Sequence, residues 1–207
     1  MNLILSILLI LSENLSVNPV EKVTNQPTQI LPATEEHLAA ISELAGVIWR
    51  ACYPSIIAME QIDYMLAQMY ALDTMRGEIR SQGIRYDRLL VGEKLVGFAS
   101  YGPMEVEALR CGARTAQRAV PTFQLHKLYL LPELHGRGLG SRLLQHCEQE
   151  AGKLGARRLI LSVNKRNAKA IAAYQRNGFV VAESVVTDIG HGFVMDDFIM
   201  AKDLGQD

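Results

Sequence analysis

Apolar residues recur along this chain with two different periods. Leu38, Ile41, Leu44, Ala45 and Ile48 mark one face of a helix running to about Trp49. Thr34 can cap that helix, and Glu35 and Glu36 suit its first turn. The pattern breaks at Pro54, and a second helix follows with Ile62, Met65, Leu66 and Met69 on one side. Ile30 and Leu31 read as a short first strand. Arg88 to Val91 and Leu95 to Tyr101 read as two strands joined by Gly92-Glu93-Lys94. Thr122 to Leu131 is the expected central strand. Leu139 to Leu154 is a helix that turns Leu139, Leu143, Leu144, Cys147 and Ala151 inward. Arg158 to Val163 is the next strand, and Asn167 to Asn177 a helix stopped by a left-handed Gly178. Phe179 to Val186 and Phe193 to Ala201 close the chain as a strand pair. Met104 to Pro121, with Arg110, Arg114 and Arg118, is too long for a hairpin loop and is expected to be a mobile insertion. This order predicts an α/β layer built on one mixed sheet.

Composition narrows the picture only a little. The 207 residues suit one domain with a sizeable core. A net charge of −1 gives no footprint for nucleic acid or an anionic membrane surface. Cys52, Cys111 and Cys147 are far apart and match neither a zinc site nor a disulfide framework, so no metal is expected and idle thiols are the plainer reading. Leu3 to Leu11 is apolar apart from Ser6 but too short to span a bilayer. It has the length of a signal core without the basic flank. A start assigned upstream of the true one, a weak signal or anchor, and a tail that docks on the domain all stay open. Residues 1–28 are thus expected to be an apolar head and polar linker, and 29–204 the domain, in the cytoplasm.

The chemistry concentrates after the central strand, in His135-Gly136-Arg137-Gly138-Leu139-Gly140. Glycines let backbone approach an anion, and the helix beginning near Ser141 offers free N–H groups and a positive dipole end. A P-loop would need a Lys after Gly140, and a dinucleotide fold a GxGxxG spacing. Neither is present. A turn chosen for sterics alone would account for the glycines equally well. Some thirty residues on stand Asn164, Asn167, Tyr174 and Gly178-Phe179.

The two motifs together resemble the GNAT acyltransferases. The glycine run resembles their acyl-CoA loop, with His135 where Gln or Arg is usual. Asn164 through Phe179 resembles their second signature, and the likeness extends over roughly Gln29 to Leu204. The resemblance implies a single GNAT-type domain, with a mostly antiparallel sheet splayed at the central strand and helices on both faces. It implies that Leu128, Leu130 and Leu131 offer backbone to a pantetheine arm. His135, Gly136, Arg137, Gly138, Gly140 and Ser141 would hold the pyrophosphate, and Asn164 and Asn167 would touch the carrier. A homodimer is common in the family.

The implied reaction is direct transfer of an acetyl group from acetyl-CoA to a primary amine of a small molecule or peptide. An alkylammonium must lose a proton before it can attack, and the departing thiolate needs one. Tyr174 is the expected acid, because the matching Tyr in the family points at the thioester sulfur. Its packing on a half-buried helix is the plainer alternative. His126, on the central strand with Gln124, Leu128 and Leu130, is the first candidate base. Glu105, Glu107 or a relay of waters are the alternatives. The loops Trp49 to Ile57 and Thr187 to Phe193, with Tyr53, Asp188 and His191, are where acceptor selection would lie. A CoA-binding module without catalysis, and a transferase for a larger acyl group, are the rival readings.

Overall fold

A computed structural model describes residues 26–104 and 120–205. The expected head and the expected insertion, with Glu105, Glu107 and Cys111, lie outside the described residues. The elements run β1 (Thr28–Pro32), α1 (Leu38–Cys52), α2 (Met59–Met69), α3 (Leu72–Ser81), β2 (Arg85–Val91), β3 (Lys94–Pro103), β4 (Thr122–Leu130), α4 (Leu139–Lys153), β5 (Arg158–Asn164), α5 (Ala168–Arg176), β6 (Val180–Gly190) and β7 (Phe193–Asp203). Seven strands form one sheet in the order β1-β2-β3-β4-β5-β7-β6. Only β4 and β5 pair in parallel, as a helical crossover between them requires. β1 begins at Thr28, one residue inside the segment expected to be linker.

Helices cover both faces of the sheet. Adjacent residues on a strand point to opposite sides. On β2, the Tyr86 hydroxyl meets Glu78 of α3, whereas the next residue, Asp87, meets His146 of α4. α1 and α3 therefore lie on one face and α4 on the other, with α5 beside α4 through a 3.2 Å bond from Asn177 Nδ2 to Ser141 Oγ. The core runs through both layers, from Ile41, Ile48 and Trp49 on α1 to Leu143, Leu144 and Cys147 on α4.

α3 is the one helix that the apolar pattern does not announce. It turns only Met75 and Glu78 fully inward and carries Gly77 in its middle. Its anchor is polar. Lys127 of β4 is fully buried, and its Nζ donates to both oxygens of Glu78, at 2.8 and 2.7 Å, and to the Tyr86 hydroxyl at 2.8 Å. Such a pair draws its strength from being complete, because either partner alone would be a charge stranded in the core. Lys127→Met should therefore destabilise the fold by about 3–5 kcal/mol, read from urea unfolding. A loss below about 1 kcal/mol would show that the pair is not what secures α3.

The register of β3 on β4 slips at Lys127. Ser100 pairs with Lys127, but Tyr101 pairs with Leu125. His126 is the extra residue of a β-bulge. Gln124, His126, Leu128 and Leu130 were expected to share one face, and the bulge breaks that period. Beyond it β4 and β5 separate, for their pairing ends at Leu125 opposite Leu161.

Candidate active site

The glycine turn leaves β4 through Leu131 and a single 3-10 turn, Pro132–Leu134. Gly136 and Gly138 have φ of +78° and +76°, in the left-handed region that side chains avoid. A β-carbon at either position would meet no atom within 4 Å. The turn thus borders open space that no side chain fills. Gly138 caps α4, whose first N–H groups and dipole face that space. Gly140 is buried in the first helical turn, and Arg137 stands exposed at the rim. These residues fit a pyrophosphate.

The two flanking side chains are otherwise engaged. Ser141 Oγ accepts the bond from Asn177, so its hydroxyl ties α4 to α5. His135 Nε2 lies 2.9 Å from the carbonyl of Leu130, and donates to it. Burial holds the ring below the ordinary histidine pKa, against the opposing effect of that backbone bond. Here His135 folds the loop back on β4.

The strand edge beside this turn is open. Leu131 donates its N–H to Val96 on β3, at 2.9 Å. Antiparallel bonding alternates along a strand. Leu128 and Leu130 therefore turn their N–H groups away from β3, to the side where β5 has left. Asn164 ends β5, and its Oδ1 accepts from Arg166 N at 3.0 Å. Asn167 caps α5, accepting from Ala170 N at 3.2 Å, while its buried Nδ2 has no partner. Tyr174, on α5, is fully buried with an unpartnered hydroxyl. Burial, with Tyr129 and Cys147 nearby, pushes that phenol well above its ordinary pKa. It therefore holds its proton at neutral pH.

His126 is half-buried, but its Nε2 is enclosed and unpartnered. Burial first, and the adjacent Lys127 charge second, push its pKa down to about 3. The ring is neutral at any physiological pH.

Across the opening stands an aromatic cluster. Trp49 and Tyr53, at the end of α1, stack at 4.3 Å, and Tyr129 of β4 lies 6.0 Å from Trp49. The Trp49 Nε1 and the hydroxyls of Tyr53 and Tyr70 are buried without a partner at bonding distance. Sequence patterning singled out Tyr53 but neither Tyr129 nor Asp197. A buried acid inside a strand was the available signal. Asp188 and His191 do not reach this cluster. Asp188 Oδ1 accepts from Gly190 N at 2.8 Å, and the His191 ring packs 4.8 Å from Tyr64. α2 straps that hairpin down, through Tyr64 to the Ile189 carbonyl at 2.7 Å and Gln61 to that of Val194 at 3.0 Å.

A cavity of about 610 Å³ lies elsewhere, at the end of the sheet where β4 and β5 still pair. On its wall Asp87 Oδ2 accepts from Tyr101 at 3.0 Å and His146 at 3.1 Å, which fastens α4 to β2 and β3. Among the described residues, no group of three or more His, Cys, Asp or Glu could hold a metal ion. No described helix is long and apolar enough to cross a membrane.

A splayed strand pair, a glycine turn at a helix start and a buried neutral phenol are features that an acyl-CoA-dependent transferase needs. The model of the Acetyltransferase (GNAT) family matches residues 48–179, and the chain belongs to that family. It carries out N-acetyl transfer from acetyl-CoA. The chain is 28% identical over 165 residues to a spermidine N(1)-acetyltransferase of Thermoplasma acidophilum, covering 78% of this chain and 91% of that one. It is similar in structure to the PaiA N-acetyltransferase of Thermoplasma acidophilum in complex with coenzyme A. The TM-score there is 0.68 at 25% identity, over 86% of this chain and 99% of that one. A GCN5-related N-acetyltransferase from Rhodopseudomonas palustris shares the fold, with a TM-score of 0.64 at 19% identity over 85% and 95% of the two chains.

Gly138→Glu would force a side chain from the left-handed region and place a negative charge in the turn. It should abolish coenzyme A binding by calorimetry while leaving the circular dichroism spectrum intact. Unchanged affinity would mean that the pyrophosphate sits elsewhere.

Proposed function

We propose that this protein acetylates a small aliphatic amine of the polyamine class, in the cytoplasm. The observation that carries the reading is the unpartnered, neutral Tyr174 hydroxyl beside the opening between β4 and β5. Likeness to the spermidine N(1)-acetyltransferase over most of both chains supports the acceptor class. The buried free thiols Cys52 and Cys147 suit a reducing compartment.

Acetyl-CoA, when bound, supplies the thioester. Gly136, Gly138 and Gly140, with the α4 N–H groups, hold its pyrophosphate, and Arg137 closes over it. The Leu128 and Leu130 edge pairs with the pantetheine arm like an added strand. The Leu130 N–H then faces the carbonyl oxygen as charge develops there. Asn164 and Asn167 border the arm from the β5 side, the latter with its spare Nδ2 donor.

In the transfer an N–C bond forms and the C–S bond breaks. The acceptor enters as an ammonium and loses two protons in becoming an amide. Tyr174 delivers a proton to the leaving sulfur and is recharged with one of these. The other leaves to solvent. His126, neutral, accepts a hydrogen bond from the amine or an intervening water and so orients its lone pair. A ring with a pKa of about 3 cannot retain a proton at pH 7, so it passes the proton on.

Tyr174→Phe should lower kcat by about 10²-fold or more, with coenzyme A affinity unchanged. If turnover holds, the phenol is packing and the acid lies elsewhere. The neutral His126 also fixes the expected pH profile. Between about pH 6 and 9, kcat/KM should rise as the acceptor amine deprotonates, with no break from a histidine. A break near pH 6.5 that His126→Gln removes would overturn its assignment as a neutral group.

A further inference from the structure

We infer that Asp197 receives the acceptor's ammonium group, where Trp49, Tyr53 and Tyr129 adjoin it. The inference rests on the acetyl-transfer reading above and names the group that selects the acceptor. Three carboxylates are buried among the described residues: Glu78, Asp87 and Asp197. Glu78 is held by Lys127, and Asp87 fastens the far end of the sheet. Asp197 alone lies at the opening. Its strand register places it opposite Asn164, the last residue of β5, three residues past the point where β4 has separated.

The direction of its side chain follows from its neighbours. Met195, two residues earlier on the same face of β7, meets Gln61 of α2 at 3.8 Å. Asp197 thus points to the face that α1 and α2 cover. Tyr129 points to that face from β4, against Trp49. The carboxylate is close enough to act electrostatically on both the Tyr53 and the Tyr129 hydroxyls. Tyr53 in turn feels Tyr174. Acid, aromatic rings and carboxylate therefore adjoin, although they come from α5, α1, β4 and β7.

The chemistry of these groups suits a cation. Aromatic faces attract an ammonium, most strongly when water is excluded. A carboxylate accepts its N–H donors in charge-assisted bonds. The Tyr53 hydroxyl, beside Tyr129, can accept another. Asp196, one residue before Asp197, points to the opposite face of β7. Asp196 pairs with Lys165, and Asp188 holds its own turn.

The test uses the full chain, with spermidine as acceptor. Asp197→Asn keeps the shape and removes the charge. The KM for spermidine should rise about 10- to 100-fold, with the dissociation constant for coenzyme A within about twofold of the wild type. Asp197→Glu should recover part of the loss. An unchanged KM in Asp197→Asn overturns the inference and leaves acetyl transfer standing. Absence of turnover by the wild type across polyamines, with coenzyme A still bound, overturns both. If Asp197→Asn fails to fold, the wild type decides. Choline should compete with spermidine at least about tenfold better than its uncharged isostere dimethylbutanol, and equal competition overturns the inference.

Discussion

The active site depends on β4 and β5 parting company after Leu125 and Leu161. A parallel pair that stayed bonded would use the N–H and C=O groups that β4 and β5 turn toward each other, leaving no edge for a ligand. Because the strands diverge, Leu128 and Leu130 keep backbone groups facing the gap, and α5 brings Tyr174 to it. The bulge at His126 lies immediately before the divergence. Bulges bend the strand that carries them and increase its twist. The neighbouring Lys127 is pinned from behind by Glu78 and Tyr86, so the bend is held by a buried ionic contact.

Burial sets the protonation states around that gap. Tyr174 is kept neutral because a phenolate there would be desolvated. His126 is kept neutral for the same reason, reinforced by the Lys127 charge. An acid that must give up a proton only to a departing thiolate benefits from the first effect. The second excludes storage of a proton on His126, in keeping with the orienting role proposed for it. The same low-dielectric surroundings strengthen any contact between Asp197 and a cation.

The two ends of the cleft work by different means. At the proposed carrier end the groups on offer are backbone: glycine conformation, helix N–H groups and a strand edge. The His135 side chain there is engaged with the Leu130 carbonyl. At the proposed acceptor end the lining is side chains, and α2 holds the adjoining β6–β7 hairpin through Gln61 and Tyr64.

Much of this was legible in the chain. Local rules are strong where one residue type answers one backbone need, so the Gly136–Gly140 turn, the Asn167 cap and the Gly178 stop are read directly. Periodicity located α1, α4 and the strands to within a few residues. It missed α3, whose buried polar hold is the contact of Glu78 with Tyr86 and with a lysine 49 residues away. It misjudged the face of His126, because a bulge is decided by the partner strand. Asp197 and Tyr129 lay unremarked inside ordinary strands. By itself the sequence determined most of the elements and the glycine turn, since both arise from neighbours in the chain. Only the tertiary structure decided which acid, phenol and ring share the gap, since burial and proximity between distant strands arise when the sheet assembles.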